Sequence, residues 1–117
     1  MEENIKFSFE DLKVYQKALD FVDCVYEIPK SELYNLTSQF KRASISIALN
    51  TAEGSGDTNA QFNRFLTIAK HSLQECVVCS TIAKRQNYIS ETQDKENRIK
   101  LSELSKMITS LQKYLKK

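Results

Sequence analysis

The chain has 117 residues, enough for one domain whose core needs no disulfide or metal staple. Two glycines and one proline fall far below ordinary usage and exclude a loop-rich or all-β fold, leaving continuous helices with short connections. The net charge of +2 hides an asymmetry: residues 1–32 hold eight acids and four bases, net −4, and residues 33–117 seven acids and thirteen bases, net +6.

Four helices can be read in chain order. The first, about 9–28, opens at a staple and capping-box pattern: Phe7 precedes Ser8, Asp11 lies three residues on, and Leu12 is placed to pack back on Phe7. Leu12, Tyr15, Leu19, Val22 and Tyr26 recur at steps of three and four. Val14, Ala18, Phe21, Val25 and Ile28 form a second such series about 120° away. Pro29 stops the helix.

Ser31 caps the second helix, about 32–53. At 100° per residue, Leu36, Phe40, Ala43 and Ile47 share its core stripe. Ile45, Ala48, Leu49 and Ala52 fall on nearly the opposite side, and Asn35, Gln39, Arg42, Ser46 and Glu53 run down a polar lane between. Gly54-Ser55-Gly56-Asp57 breaks the helix. Thr58 with Gln61 opens the third, about 59–87, where Phe62, Leu66, Ala69, Leu73, Cys76, Ser80 and Ala83 keep an unbroken 4-3 rhythm. Ser90 with Gln93 opens the fourth, about 91–115. Its stripe is Leu101, Leu104, Ile108, Leu111 and Leu115, with Asp94–Arg98 and Glu96–Lys100 as i,i+4 pairs on its outside.

Short connections make sequential helices antiparallel neighbours, so the expected fold is all-α: a single-domain up-down-up-down four-helix bundle over 1–117. Helices one to three are apolar too far around for one bundle interior. Left bare, those faces exceed what soluble monomers tolerate, so homo-oligomerisation through Ile45, Ala48, Leu49 and Ala52 is expected. The three cysteines lie in apolar stretches, and Met1-Glu2-Glu3-Asn4 is the reverse of a signal-peptide opening. No apolar run approaches the ~20 residues that span a bilayer. A reduced, cytoplasmic protein with no membrane partner is expected.

Phe9-Glu10-Asp11-Leu12-Lys13-Val14-Tyr15-Gln16-Lys17-Ala18, then Glu32-Leu33-Tyr34-Asn35-Leu36 and Ser38-Gln39, resemble the opening of the bacterial 23S rRNA intervening-sequence proteins, also called four-helix-bundle proteins. The pattern continues as Arg42-Ala43, Ser46-Ile47, Asn50 and Ala52-Glu53-Gly54. It runs on through Phe62, Arg64-Phe65-Leu66 and Ile68-Ala69 to Ser72-Leu73 and Glu75, and covers about residues 7 to 113. The resemblance implies a left-handed bundle that assembles as a five-fold ring. Some members are encoded within ribosomal RNA insertions. Others resemble the accessory variability determinant of diversity-generating retroelements, a basic ring that binds nucleic acid and a reverse transcriptase. This chain departs from the pattern in its short link around Pro29, in Ala48 and Leu49 where the motif has a proline-bearing turn, and in His71 where glycine commonly precedes the serine.

The chemistry-bearing residues fall into a few groups. Ser46, Asn50 and Glu53 on helix two can face Ser72 and Glu75 on helix three, an internal polar network in a bundle core or a small pocket. Asn50 falls on the core stripe, so its amide needs buried partners. A Glu53–Glu75 metal site lacks the Glu-x-x-His motifs of di-iron bundles. Cys76 and Cys79 have C-x-x-C spacing, but only Cys24 and His71 could complete four ligands, and His71 points away from Cys76. Buried thiols are the expectation, with no metal and no cofactor. Arg64 and His71, two turns apart on one face, resemble the Arg-x4–6-His motif of HEPN ribonucleases, in which the histidine works on the RNA 2′-hydroxyl while the arginine steadies phosphate. That reading gives a metal-independent ribonuclease. A pure protein scaffold is the third option. Lys41-Arg42 and Lys84-Arg85 lead a basic surface suited to RNA or DNA phosphates rather than bases. The expected function is therefore a non-enzymatic homo-oligomer that binds nucleic acid, or a nucleic-acid enzyme, through Lys41, Arg42, Lys84 and Arg85.

Overall fold

The computed structural model describes residues 4–28 and 34–116, Tyr34 by its backbone alone. A 3-10 turn, Ser8–Asp11, precedes four helices: α1 Lys13–Tyr26, α2 Tyr34–Gly54, α3 Asn59–Arg85 and α4 Glu91–Leu115. Among the described residues no helix is long and apolar enough to cross a membrane. The Pro29 stop and the Ser31 cap lie outside the described residues.

The first helix begins later than its sequence pattern predicts. Phe7 N–H donates to the Glu10 carboxylate at 2.8 Å, while Asp11 pairs with Lys6 at 2.7 Å instead of capping Ser8. The result is one tight turn, and Leu12 is extended at φ −67°, ψ 124° before α1 starts. Phe7 stays exposed and stacks on Phe9, which meets Tyr15 edge-on with ring centroids 5.1 Å apart. The hydrophobic staple is thus replaced by an aromatic run that carries the entering chain onto α1.

The remaining termini follow local chemistry. Thr58 and Ser90 accept from Gln61 N–H and Gln93 N–H, and Gln93 returns its side-chain oxygen to Ser90 N–H. α3 ends where Asn87 takes φ 63°. Tyr88 N–H then reaches Ala83 O and Asn87 N–H reaches Lys84 O, the paired bonds of a Schellman motif with asparagine in the left-handed position. At the other corner α2 and α3 nearly touch. A Cβ on Gly54 would lie 2.8 Å from both Phe62 Cδ1 and Phe65 Cβ, so glycine is required there by close approach.

Side-chain pairs show the directions of the helices. Ser46 meets Ser72, and Gly54 lies against Phe62 and Phe65, so α2 and α3 run antiparallel. Ser80 meets Asp94 and Asn97, Thr81 meets Arg98, and Thr67 meets Gln112, so α3 and α4 do too. Each helix packs on its sequence neighbours and α1 also packs on α4, which puts α1 and α3 at diagonal corners of a four-helix bundle.

The core fills the middle. On α3 the whole 4-3 stripe from Phe62 to Ala83 is buried, and on α4 Leu101, Leu104 and Ile108 are buried while Leu111 and Leu115 pack at its edge. α2 contributes Phe40, Ala43 and Ile47, with Phe40 tilted on Phe21 of α1 at 6.1 Å between ring centroids. Of the two apolar series on α1, the core takes Val14, Ala18, Phe21, Val25 and Ile28. Leu19 and Tyr26 of the other series stay exposed, and Tyr15 and Val22 only partly buried. Full burial of one such side chain is worth ~1.5–3 kcal/mol, so this stripe dominates the stability of α1.

Candidate functional site

Two surfaces stand out, and they differ in chemistry. The first is a groove on the outside of the α1–α2 pair. Tyr15, Leu19 and Val22 form one wall, Ile45, Leu49 and Ala52 the other, and Phe9 closes the end, around about 240 Å³ of space. Ile45, Leu49 and Ala52 therefore lie where the sequence puts the second apolar face of α2. Ala48 lines the same groove as its buried floor, where a small side chain lets α1 approach α2. Asp20 and Asp23 are exposed on α1, and Glu27, just past its end, is exposed and lies near enough to Lys100 of α4 to act on it.

The second surface follows α4 where it borders α3. Lys95, Arg98, Ser102, Lys106, Thr109 and Lys113 recur at steps of three and four along one side of α4, all exposed except the half-buried Thr109. Lys95, Arg98, Ser102 and Lys106 line one hollow with Ile99 and Glu103, and Arg98, Ser102 and Lys106 line the adjoining one with Leu73 and Val77 of α3. Glu103, the acid in the first hollow, is engaged by Lys17 at 3.3 Å.

Beneath this basic line lies a buried polar cluster. Asp94 accepts from Ser80 Oγ at 2.7 Å and from Arg98 Nε at 3.0 Å, Asn97 donates to Ser80 Oγ at 3.1 Å, and Arg98 also reaches Thr81 Oγ1. Asp94 is only 6% exposed, so the pair read from sequence as lying on the outside of α4 is instead the latch between α3 and α4. Burial pushes the Asp94 carboxyl up. Hydrogen bonds from Ser80 and Arg98, with the charges of Arg98 and Lys84, outweigh that and hold it below its ordinary 3.8. The Glu96–Lys100 pair is likewise superseded, since Lys100 Nζ donates to Cys24 Sγ at 2.9 Å across α1 and α4.

The four basic residues singled out in the sequence do not share one surface. Lys41 sits over the Tyr26 ring at 4.4 Å, on the α1–α2 side. Lys84 lies close enough to Asp94 to act on its titration and so extends the α4 line. Arg85 shares a hollow with Val78 and Ile82 on the outer side of α3. Arg42 is exposed on α2. The antiparallel register set by Ser46 and Ser72 puts Lys41 opposite Val77, about 10 Å along the axis from Lys84.

The polar lane between α2 and α3 is smaller than the sequence suggests. Ser72 Oγ donates to Ser46 Oγ at 2.8 Å, and Asn50 Nδ2 donates to Ser46 O at 2.8 Å and to Ser46 Oγ at 3.0 Å. Glu53 and Glu75 stand outside this chain of bonds, both exposed, because their helix positions turn them to solvent. Arg64 and His71 are both exposed on α3, two turns or about 10 Å apart. Cys76 and Cys79 are buried. Desolvation pushes the Cys79 thiol up to about 11, helped by Glu75, and raises Cys76 further with help from Cys79 and Glu75, so both stay protonated at neutral pH. Among the described residues no three His, Cys, Asp or Glu side chains converge as a metal site would need.

The architecture and the order of these residues meet in one assignment. The profile of the 23S rRNA-intervening sequence proteins matches residues 10–110. The chain belongs to that family. A crystal structure of a protein of unknown function from the S23 ribosomal protein family of Bacteroides thetaiotaomicron is similar in fold, with a TM-score of 0.79 and 24% identity over 86% of this chain and 98% of that one. No curated protein matches the chain.

Proposed function

We propose that this family member is a non-enzymatic homo-oligomer that binds nucleic acid by its phosphates along the α3–α4 face. The observation that carries the reading is the segregation of charge. Lys84, Lys95, Arg98, Lys106 and Lys113 follow one border, while Asp94 is buried and neutralised beneath it and Glu103 is paired. Helical steps of three and four bring a cation or hydroxyl forward every ~5 Å, a spacing that suits successive phosphates and carries no base-reading geometry. The α1–α2 groove supports self-association, since an apolar groove of this kind gains by being covered. The family resemblance adds a five-fold ring as the expected assembly and a reverse transcriptase as the protein partner to test. A ring multiplies the basic line around one axis and raises its field accordingly.

The test is an electrophoretic shift with generic RNA and DNA over a salt series, with assembly followed by native mass spectrometry. Affinity is expected to fall steeply with salt. The double variant Lys95→Glu, Lys106→Glu should reduce the slope of log affinity against log salt by about 2 without changing the oligomer. A slope unchanged in that variant would move binding off α4. Cleavage of RNA by the wild type that disappears in His71→Ala would replace this reading with the ribonuclease. Absence of both binding and cleavage at low salt would leave a protein scaffold.

A further inference from the structure

The seam between α1 and α4 closes the bundle by joining its first helix to its last. Among the described residues two side-chain polar contacts cross it, Lys17 to Glu103 at 3.3 Å and Lys100 Nζ to Cys24 Sγ at 2.9 Å. The second brings a thiol and an amine together 76 residues apart in the chain. Cys76 and Cys79 are buried, whereas Cys24 is only half-buried, within reach of small solutes. The hydrogen bond to Cys24 holds Lys100 above its ordinary 10.5 against a small desolvation, and the charges of Glu96 and Glu27 add to it. Lys100 therefore faces the sulfur as an ammonium.

We propose that this pair is an oxidation site at which Cys24 and Lys100 become joined by a sulfur–nitrogen bond that staples α1 to α4. The oxidant is hydrogen peroxide. Cys24 attacks one peroxide oxygen as its thiolate, with the adjacent ammonium stabilising the charge. The O–O bond breaks, and the departing hydroxide takes a proton from Lys100 and leaves as water. Sulfur, now a sulfenic acid, has lost two electrons and the peroxide has gained them. The same proton transfer leaves Lys100 a neutral amine beside that sulfur. Its lone pair attacks sulfur, the S–OH bond breaks, and the hydroxide leaves with a proton from nitrogen as a second water. One thiol, one amine and one peroxide thus give one S–NH link and two waters. Two thiols reverse it, the first displacing the amine as a mixed disulfide and the second freeing Cys24. The link closes a long loop and opposes unfolding by constraining the unfolded chain.

The test is tryptic peptide mapping of the full chain before and after hydrogen peroxide. Oxidised wild type should lose cleavage after Lys100 and yield a linked species two hydrogens lighter than its two parent peptides. Its thermal midpoint should rise by at least about 5 °C, and dithiothreitol should restore the starting map. The linked peptide is the readout because a Cys76–Cys79 disulfide would also remove two hydrogens from the intact mass. Lys100→Arg keeps the cation but offers no amine, so it should stop at a sulfenic acid that dimedone traps, with no rise in midpoint. Cys24→Ser should show neither link nor trapping. Circular dichroism checks the fold of both variants, and the wild-type map decides by itself if either unfolds. Cys24 carried on to sulfinic acid while trypsin still cuts after Lys100 overturns the staple, and so does a bridge that retains one oxygen. A Cys24 inert to both peroxide and dimedone overturns the oxidation site.

Discussion

The α1–α2 and α3–α4 pairs are built from similar helices yet are held together differently. The first relies on bulk: Phe21 against Phe40, Ala18 and Ala48 letting the backbones approach, and Lys41 laid over Tyr26. The second adds specific polar bonds at both ends. Ser80, Asp94, Asn97 and Arg98 latch it near the Asn87 turn, and Gln112 ties it at the other end by donating to Thr67 Oγ1 at 3.0 Å and accepting from Lys70 at 3.1 Å. The polar bonds use up the border of α3–α4 that faces inward and leave cations outside. The apolar pair has no such closure, and its outer side remains an open groove. Within one small bundle, one side is finished by its own side chains and the other keeps an open apolar groove.

Removing bulk should hurt the α1–α2 side most. Phe21→Ala deletes a ring that is 1% exposed and should cost about 3–5 kcal/mol in chemical denaturation, measured on a dissociated background such as Leu49→Glu. A loss under 1 kcal/mol would mean the two pairs are not held by different means. Asp94→Asn probes the other side and should cost about 1–3 kcal/mol, by leaving Ser80 and Arg98 without their charged acceptor. Its signature is pH. The carboxyl is held below 3.8 in the fold, so its contribution is full above about pH 4 and is lost as pH falls through the folded value. The gap between wild type and Asp94→Asn should therefore be constant near neutrality and narrow in acid. A gap that widens in acid would show the carboxylate to be unfavourable.

Gly54→Ala sharpens the boundary between the pairs, where α2 meets α3. A methyl group pressed to 2.8 Å from two phenylalanines should cost about 1–2 kcal/mol, while Gly56→Ala, with nothing within 4 Å, should change stability by less than about 0.5 kcal/mol. Thermal unfolding of the two side by side checks this. Ser72→Ala removes one bond to Ser46 and should cost about 1 kcal/mol.

The fold was legible because α3 and α4 each carry a single unbroken stripe, and every position named by the rhythm from Phe62 to Ala83 is buried, with Ser72 and Cys79 buried beside it. α1 was less so. Its two apolar series are equivalent by period, and only tertiary packing selects the one containing Ala18, which is fully buried. The latch was hidden for a different reason: Asp94 and Arg98 at i,i+4 look like any solvated pair. The signal that could have exposed it was Ser80, a hydroxyl inside an apolar stripe that had to find a buried partner. The basic line was missed because adjacent cations such as Lys41-Arg42 draw attention, although neighbours on a helix diverge by about 100°. Residues that share a side, such as Lys95, Arg98, Lys106 and Lys113, are scattered in the text of the sequence.

The two polar ties on the α3–α4 hairpin also act as a ruler. One tie near the Asn87 turn and another two-thirds of the way down α3 cannot both be kept if the helices slide by a turn. The positions of Lys95, Lys106 and Lys113 along α3 are thereby fixed. Units repeated around a common axis would present their cations at one common level. A polyanion meeting such an assembly would encounter a level charged belt, whose position depends on two glutamine- and serine-anchored bonds rather than on the lysines themselves.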